Sequence, residues 1–472
     1  MFNQKVIIIG AGLSGSLLAI YLAKKGIEVE VYEARSDMRN EKMSAGRSIN
    51  LALSNRGIAA LKEVGLDQYM LAEAVPMFGR MVHDPQGNTK LLPYSGRQGE
   101  FINSVSRAGL NIALINEAEK YPQVKFFFNE KCIGFEGKTG EAKFESGKIV
   151  KTDTTIGTDG AGSAIRNAMF SSVERFDFSQ KWLEHGYKEL HIPPPTPKEN
   201  QKQNAFAKWI DKIKQLANFK KKPSLEGEVL ELKFNALHIW ARHSFMMIAL
   251  PNFDGSFTCT MFLAHKGENS FELLKDETNL MNFFETNFAD AIPLMPTLVE
   301  DFFTNPIGNL GTIKCFPWNI GGKALLIGDA AHAVVPFYGQ GMNASFEDCR
   351  ILNQMISESE NNWEEIFAEF TRIRKPNADA IADMAEENFY EMRDAVADET
   401  FQKKRQLETK LEQTFPDYFS KYSMVTFRED LPYSVAKQKG NAQDQLLMEI
   451  CSNIGDVNEL DLKEVLEKLQ NL

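Results

Sequence analysis

The chain has 472 residues, 43% of them apolar and 25% charged, with a formal net charge of −11. That is enough for two or three domains of a soluble globular enzyme, and the acidic balance speaks against nucleic acid as a partner. Five scattered cysteines without a C-x-x-C, seven histidines without metal-ligand spacing and no long apolar run argue against a disulfide framework, a metal site and a membrane span.

Val6 to Ile9 is a short β-branched run that reads as a buried parallel strand. Leu13 to Lys25 reads as a helix ended by Gly26, and Val29 to Tyr32 as a second strand. A secretory signal is the competing reading of this start, but the glycines between strand and helix fit a βαβ unit better. Val124 to Val150 is strand-rich, with turns at Gly137, Gly140 and Gly147. Pro193 to Gly227 opens on three prolines. It then spaces Phe206, Trp209, Ile210, Ile213 and Leu216 as a helix face among eight lysines between Lys198 and Lys222. Leu230 to Phe262 predicts two strands joined at Asn252 to Gly255. Asn343 to about Gln413 is helical in pattern, and Gln443 to Leu472 reads as an acidic helical tail.

The residues that carry chemistry begin with Gly10-Ala11-Gly12-Leu13-Ser14-Gly15. Such a loop supplies a tight turn, a bare backbone against a pyrophosphate and free N–H groups at a helix start. Glu33, at the end of the second strand, stands where an acid holds ribose hydroxyls. This motif alone does not separate FAD from a nicotinamide cofactor. Two later segments do. Thr158-Asp159-Gly160-Ala161-Gly162 and Ile327-Gly328-Asp329-Ala330 each close a strand and start a helix, and each delivers one carboxylate there. Either acid alone also reads as a plain helix cap.

In this order the three segments resemble the class A flavoprotein monooxygenases. Longer strings resemble the kynurenine 3-monooxygenase family more closely, from residue 6 to about 435. They are Gly46 to Ser54, Val105-Ser106-Arg107, His185 to Leu190, Leu237 to Trp240, Phe245 to Phe262, Pro336 to Asn343, Glu391-Met392-Arg393 and Ser423 to Phe427. The resemblance implies a mixed α/β hydroxybenzoate hydroxylase fold. A Rossmann-like FAD-binding domain (1–70, 100–180 and 305–360) interleaves with a substrate-binding sheet domain (71–99 and 181–304). A basic insert lies at about 195–227, and a helical region spans 361–472. It also implies hydroxylation of L-kynurenine to 3-hydroxy-L-kynurenine with noncovalent FAD, NADPH and O₂, through a flavin C4a-hydroperoxide and without a protein nucleophile. Another aromatic acid as substrate, or a flavoprotein oxidase without hydroxylase activity, stays open as an alternative.

By the same resemblance Gly10, Gly12, Leu13, Gly15, Glu33, Arg35 and Ala52 hold the cofactor, with Arg107, Asp159, Asp329, Gly341, Met342 and Asn343. A helix starting near Met342 aims its positive end at the flavin. Arg80 and Tyr94 take the substrate carboxylate, and Asn388 and Tyr433 complete the polar end. Met246, Ile248 and Leu250 share one strand face by the period of two. With Leu237, Phe262 and Phe337 they cover the substrate ring. There is no second glycine motif for NADPH, which therefore binds transiently. Ala241 and His243 depart from the family, which usually has proline and a small residue there. The basic insert is a larger departure, and an entrance cover, a membrane or partner contact and surface ornament all remain open for it. The polar tail, in place of the anchor of eukaryotic members, predicts a soluble cytoplasmic enzyme, monomer or homodimer.

Overall fold

A computed structural model describes residues 5–40, 50–195, 232–359, 362–394 and 398–472. The expected basic helix of the insert and the Gly46 to Ile49 part of the family string lie outside the described residues.

Among the described residues one sheet has six strands, in the order Asn319–Ile320, Ala324–Leu326, Thr154–Gly157, Lys5–Ile9, Glu28–Tyr32 and Val124–Phe127. All neighbours but the first pair run parallel. Val6, Ile7, Ile8 and Ile9 are buried because both faces of such a sheet are covered. The helix Leu13–Lys24 is buried from Gly15 to Ala23. It packs between the sheet and the helices Arg107–Ala118 and Gly341–Glu358. The strand-rich stretch after Val124 includes a small antiparallel sheet of Cys132–Glu136, Glu141–Phe144 and Ile149–Lys151.

The second large sheet has seven strands, ordered Gly308–Phe316, Asp177–Ile192, Phe257–Ala264, Phe245–Pro251, Leu237–Arg242, Gly79–His83 and Thr89–Pro93. The turn at Asn252 to Gly255 forms as expected, with Gly255 at φ +89°. The expectation of two strands before Phe262 is corrected to three. Leu237–Arg242 and Phe245–Pro251 pair around a tight turn in which His243 adopts φ +58°. A left-handed residue there would normally be announced by glycine or asparagine, and histidine hides the turn.

The helical pattern after Asn343 divides into Gly341–Glu358, Trp363–Asp394 and Glu399–Thr414. The C-terminal stretch is no loose tail. The helix Tyr433–Ser452 starts ten residues before the expected boundary. With Leu462–Gln470 it buries Leu447, Cys451, Val465 and Leu469 against Leu407 and Leu411. No described helix is long and apolar enough to cross a membrane.

Candidate active site

Three loops leave three neighbouring parallel strands at the same edge of the six-stranded sheet: Gly10 to Gly12, Thr158 to Ser163, and Gly328-Asp329. Gly10 sits at φ +103°, and a Cβ on it would lie 2.6 Å from the Thr158 carbonyl oxygen. On Gly15 a Cβ would lie 2.0 Å from the Gly10 oxygen. Both positions therefore require glycine. A Cβ on Gly12 meets nothing within 4 Å, so a bare backbone faces open space. The first backbone bond of the following helix is Ser16 N–H to the Gly12 carbonyl, which leaves the N–H groups of Leu13, Ser14 and Gly15 for an anion.

Glu33 is buried beside this loop and accepts from the Ala11 N–H at 2.8 Å. Its other oxygen accepts from the Arg35 N–H at 2.9 Å and the Arg35 Nε at 2.8 Å. Burial pushes the Glu33 carboxyl up, but the bonds from Arg35 and Ala11 outweigh it and hold the group below its ordinary range. Asp159 caps the next helix, its Oδ2 accepting from Ala164 N–H at 2.7 Å. Its Oδ1 is buried without a partner, and burial raises its carboxyl. Asp329 is exposed at the third loop, and Arg107 is exposed at the start of the helix Arg107–Ala118.

The helix Gly341–Glu358 makes its first backbone bond from Ala344 N–H to the Gln340 carbonyl, at 2.8 Å. The N–H groups of Gly341, Met342 and Asn343 are thus left at its positive end. The Asn343 side chain is engaged by protein. It donates to the carbonyls of Ala52 (2.8 Å) and Gly339 (2.9 Å) and accepts from Ser54 N–H (3.0 Å). Only its main chain remains for a ligand. Open glycines, helix starts, an orphaned carboxylate oxygen and a row of acids fit an adenine dinucleotide with a ribityl chain, as FAD has.

A buried apolar face begins where this edge meets the seven-stranded sheet. Tyr94, Met246, Phe262, Phe337 and Tyr433 are buried in one cluster, against which Ala52, Leu237, Ile248 and Leu250 pack. Phe337 packs on Phe262 with ring centroids 4.9 Å apart. Arg80 is paired in register with Leu237. Its guanidinium lies 5.8 Å from the Tyr94 ring centroid and 5.0 Å from that of Tyr422, and its Nε is buried without a partner. Burial opposes the charge, but Tyr422, Tyr94 and Glu391 outweigh it and keep Arg80 a firm cation. Burial holds the phenols of Tyr94 and Tyr422 protonated.

Asn388 lines a small cavity of about 30 Å³ together with Tyr338 and Tyr422, and it donates to the Phe337 carbonyl at 2.6 Å. Tyr433 belongs to the same apolar cluster but turns its polar end to other partners. The Arg56 guanidinium lies 3.9 Å from its ring centroid, and its hydroxyl donates to Gln340 Oε1 at 3.0 Å. Arg80 and Tyr94 lie against Tyr422, and Asn388 shares a cavity lining with Tyr422.

The FAD binding domain family matches residues 3–210 and 309–385. The chain is 42% identical over 480 residues to kynurenine 3-monooxygenase of Myxococcus xanthus (strain DK1622), covering 99% of this chain and 95% of that one. It is 39% identical over 472 residues to kynurenine 3-monooxygenase of Dictyostelium discoideum, covering 97% and 95%. The chain belongs to the kynurenine 3-monooxygenase family. Among solved structures, the tetrameric form of 2-methyl-3-hydroxypyridine-5-carboxylic acid oxygenase matches with a TM-score of 0.63 at 17% identity, covering 89% of this chain and 99% of that one. A point variant of Klebsiella pneumoniae HpxO complexed with FAD matches at 0.63 and 18%, covering 86% and 95%. These two show the fold.

Within this member of the kynurenine 3-monooxygenase family the sequence reading missed two groups. Tyr422 stacks between Tyr94 and Tyr338, with centroids 5.4 Å from each. It immediately precedes the family string Ser423 to Phe427, so one more residue of that string reveals it. Glu412 fixes it in place, accepting from Gly96 N–H at 2.8 Å and Ser420 N–H at 2.9 Å. The second group is a buried ion network. Glu347 accepts from Arg56 at 2.5 Å and Arg374 at 2.6 Å, and Asp348 accepts from Arg374 at 2.7 Å and bonds His332 at 2.6 Å. Asp348 also accepts from Gly328 N–H at 3.2 Å, which holds the Gly328-Asp329 turn. Two adjacent acids amid the buried run from Asn343 to Cys349 are its only sequence signal.

Proposed function

We propose that this chain hydroxylates L-kynurenine to 3-hydroxy-L-kynurenine, consuming NADPH and O₂ with noncovalently held FAD. The reading is carried by one observation: a buried arginine donor without a partner, Arg80 Nε, at the edge of an apolar sheet face, in a chain of this family. The glycine loop, Glu33, Asp159, Asp329 and the start of the helix Gly341–Glu358 would hold FAD, which would supply the redox chemistry between NADPH and O₂.

The protein's own residues bind, orient and exclude water. Arg80 takes the amino-acid carboxylate through its forked donors. The protonated hydroxyls of Tyr94 and Tyr422 donate to the same group, and Asn388 closes the polar end. Leu237, Met246, Ile248, Leu250, Phe262 and Phe337 hold the aniline ring in a dry slot. Tyr433 supports Gln340 behind the loop rather than touching substrate. We further assign the six-stranded sheet to the flavin, the seven-stranded sheet to the substrate, and the enzyme to the cytoplasm.

Kynuramine, the decarboxylated analogue, tests the role of Arg80. Titrated into the FAD-loaded enzyme and followed by flavin absorbance, it should bind about 100-fold more weakly than L-kynurenine, because it leaves buried donors unmatched. Equal affinity for the two would contradict the assignment.

A further inference from the structure

A cavity of about 430 Å³ opens at the far end of the seven-stranded sheet, within the range of small-molecule pockets. Its walls include Val82, Leu92 and Ala241 from the sheet and Arg393 and Gln402 from the helices Trp363–Asp394 and Glu399–Thr414. The register fixes which face this is. Arg80 and Val82 alternate with Met81 along one strand, and Arg80 lies opposite Leu92 across the next. Leu237, Ile239 and Ala241 likewise share one face and pack into the substrate cluster. Val82, Lys90, Leu92 and Ala241 thus bring the face that carries Arg80 into the cavity, while His83, Thr89 and Arg242 of the opposite face close its rim.

Its chemistry matches the same ligand. The floor is apolar, from Val82, Leu92 and Ala241. Lys90 and Arg393 place cations along the walls, and a third, Arg242, is held on the carbonyls of Asn287 and His83. The acid in the lining, Asp84, is turned onto its own loop, accepting from Gln86 N–H, Asn88 N–H and the Asn88 side chain. Lys90 Nζ reaches Gln402 Oε1 at 3.4 Å, so it spans from the sheet edge to the covering helix at the mouth. Asn388 lies on the same helix as Arg393, one to two turns further in.

We propose that this cavity is an antechamber, an outer site that receives an aromatic amino acid by its carboxylate and passes it along the sheet face to Arg80. The proposal rests on the substrate reading above. It assigns Lys90 to capture and Ala241 to the floor of the passage.

Stopped-flow mixing of the FAD-loaded enzyme with L-kynurenine, without NADPH, reads association and dissociation from flavin absorbance. Lys90→Glu should slow association about tenfold at low salt, and the difference should shrink as salt rises. Lys125→Glu, an exposed charge reversal on the other sheet, should leave the rates alone. Ala241→Phe narrows the passage and should slow association at least about fivefold. Unchanged rates in both Lys90→Glu and Ala241→Phe would overturn the antechamber while leaving the substrate site standing, as would a changed dissociation constant in Ala241→Phe without slower association. If Ala241→Phe does not fold, the exposed Lys90→Glu variant decides alone. Absence of any kynurenine signal in the unmodified enzyme would overturn the substrate reading, and the antechamber with it.

Discussion

Along the strand Phe245–Pro251, Met246, Ile248 and Leu250 point into the cluster around Arg80, whereas Phe245, Met247 and Ala249 point into a second core against the helices Glu277–Asn287 and Leu298–Thr304. Both faces bury polar groups, but they treat them differently. On the second face His83 bonds Asp290 at 2.7 Å and His238 at 2.8 Å, and His238 gives its Nε2–H to the Lys233 carbonyl at 3.0 Å. Trp240 Nε1 donates to Asp290 at 2.8 Å, and Arg242 donates to the carbonyls of Asn287 and His83. This chain of bonds closes on itself. On the first face the Arg80 Nε has no partner. A buried donor without a partner costs stability unless something arrives to meet it. The closed face spends its polar groups on the fold, and the proposed substrate face leaves one donor, Arg80 Nε, for a ligand.

The sharpest way to separate the two faces is to damage the closed one. Phe284 is fully buried there. Phe284→Ala should lower stability by about 3–5 kcal/mol, read from urea unfolding. The folded fraction should bind kynurenine as before, and a matching loss of affinity would show that the faces are not independent.

Acid should reach the same face next. Burial, partly offset by the Lys233 carbonyl, pushes the His238 imidazole down from 6.5 to about 4. The unfolded histidine takes a proton near pH 6.5 while the folded one resists. Stability is thus complete above that pH and falls as the pH drops toward 4, by about 3 kcal/mol. Urea midpoints between pH 7.5 and 4.5 should show this slope, and His238→Asn should flatten it. An unchanged slope in that variant would assign the acid sensitivity to other groups.

The proposed substrate face should behave in the opposite way. Arg80→Ala should weaken kynurenine binding by about 2–3 kcal/mol, roughly 30- to 150-fold, with FAD content, flavin spectrum and urea midpoint held. Loss of FAD in that variant would remove Arg80 from the substrate site. Smallest is the tyrosine pair. Tyr422→Phe should cost about 1 kcal/mol of kynurenine affinity, whereas Tyr433→Phe, which breaks only the bond to Gln340, should leave that affinity unchanged. The reverse pattern would restore Tyr433 to the polar end.

The legible parts of the sequence were those in which local chemistry dictates structure. Val6 to Ile9, the glycine loop and the acids at Glu33 and Asp159 each follow from backbone needs that few residue types meet, whereas exposed Asp329 meets none and rests on the resemblance. The shared face of Met246, Ile248 and Leu250 follows from the period of a strand. What stayed hidden depends on distant partners. Tyr422 gains meaning only when Glu412 draws its helix to Gly96, and Arg56 only when the chain returns with Glu347 some 290 residues later. The turn at His243 was hidden for a local reason, a left-handed residue without the usual side chain for it.

In the proposed reaction the face around Arg80 receives kynurenine beside a bound flavin, and oxygen enters its ring. NADPH oxidation measured with and without L-kynurenine, with the products identified, tests it most directly. Oxidation should be slow without kynurenine and strongly stimulated by it, with one 3-hydroxykynurenine formed per NADPH consumed. Oxidation indifferent to kynurenine, yielding only hydrogen peroxide, would contradict it.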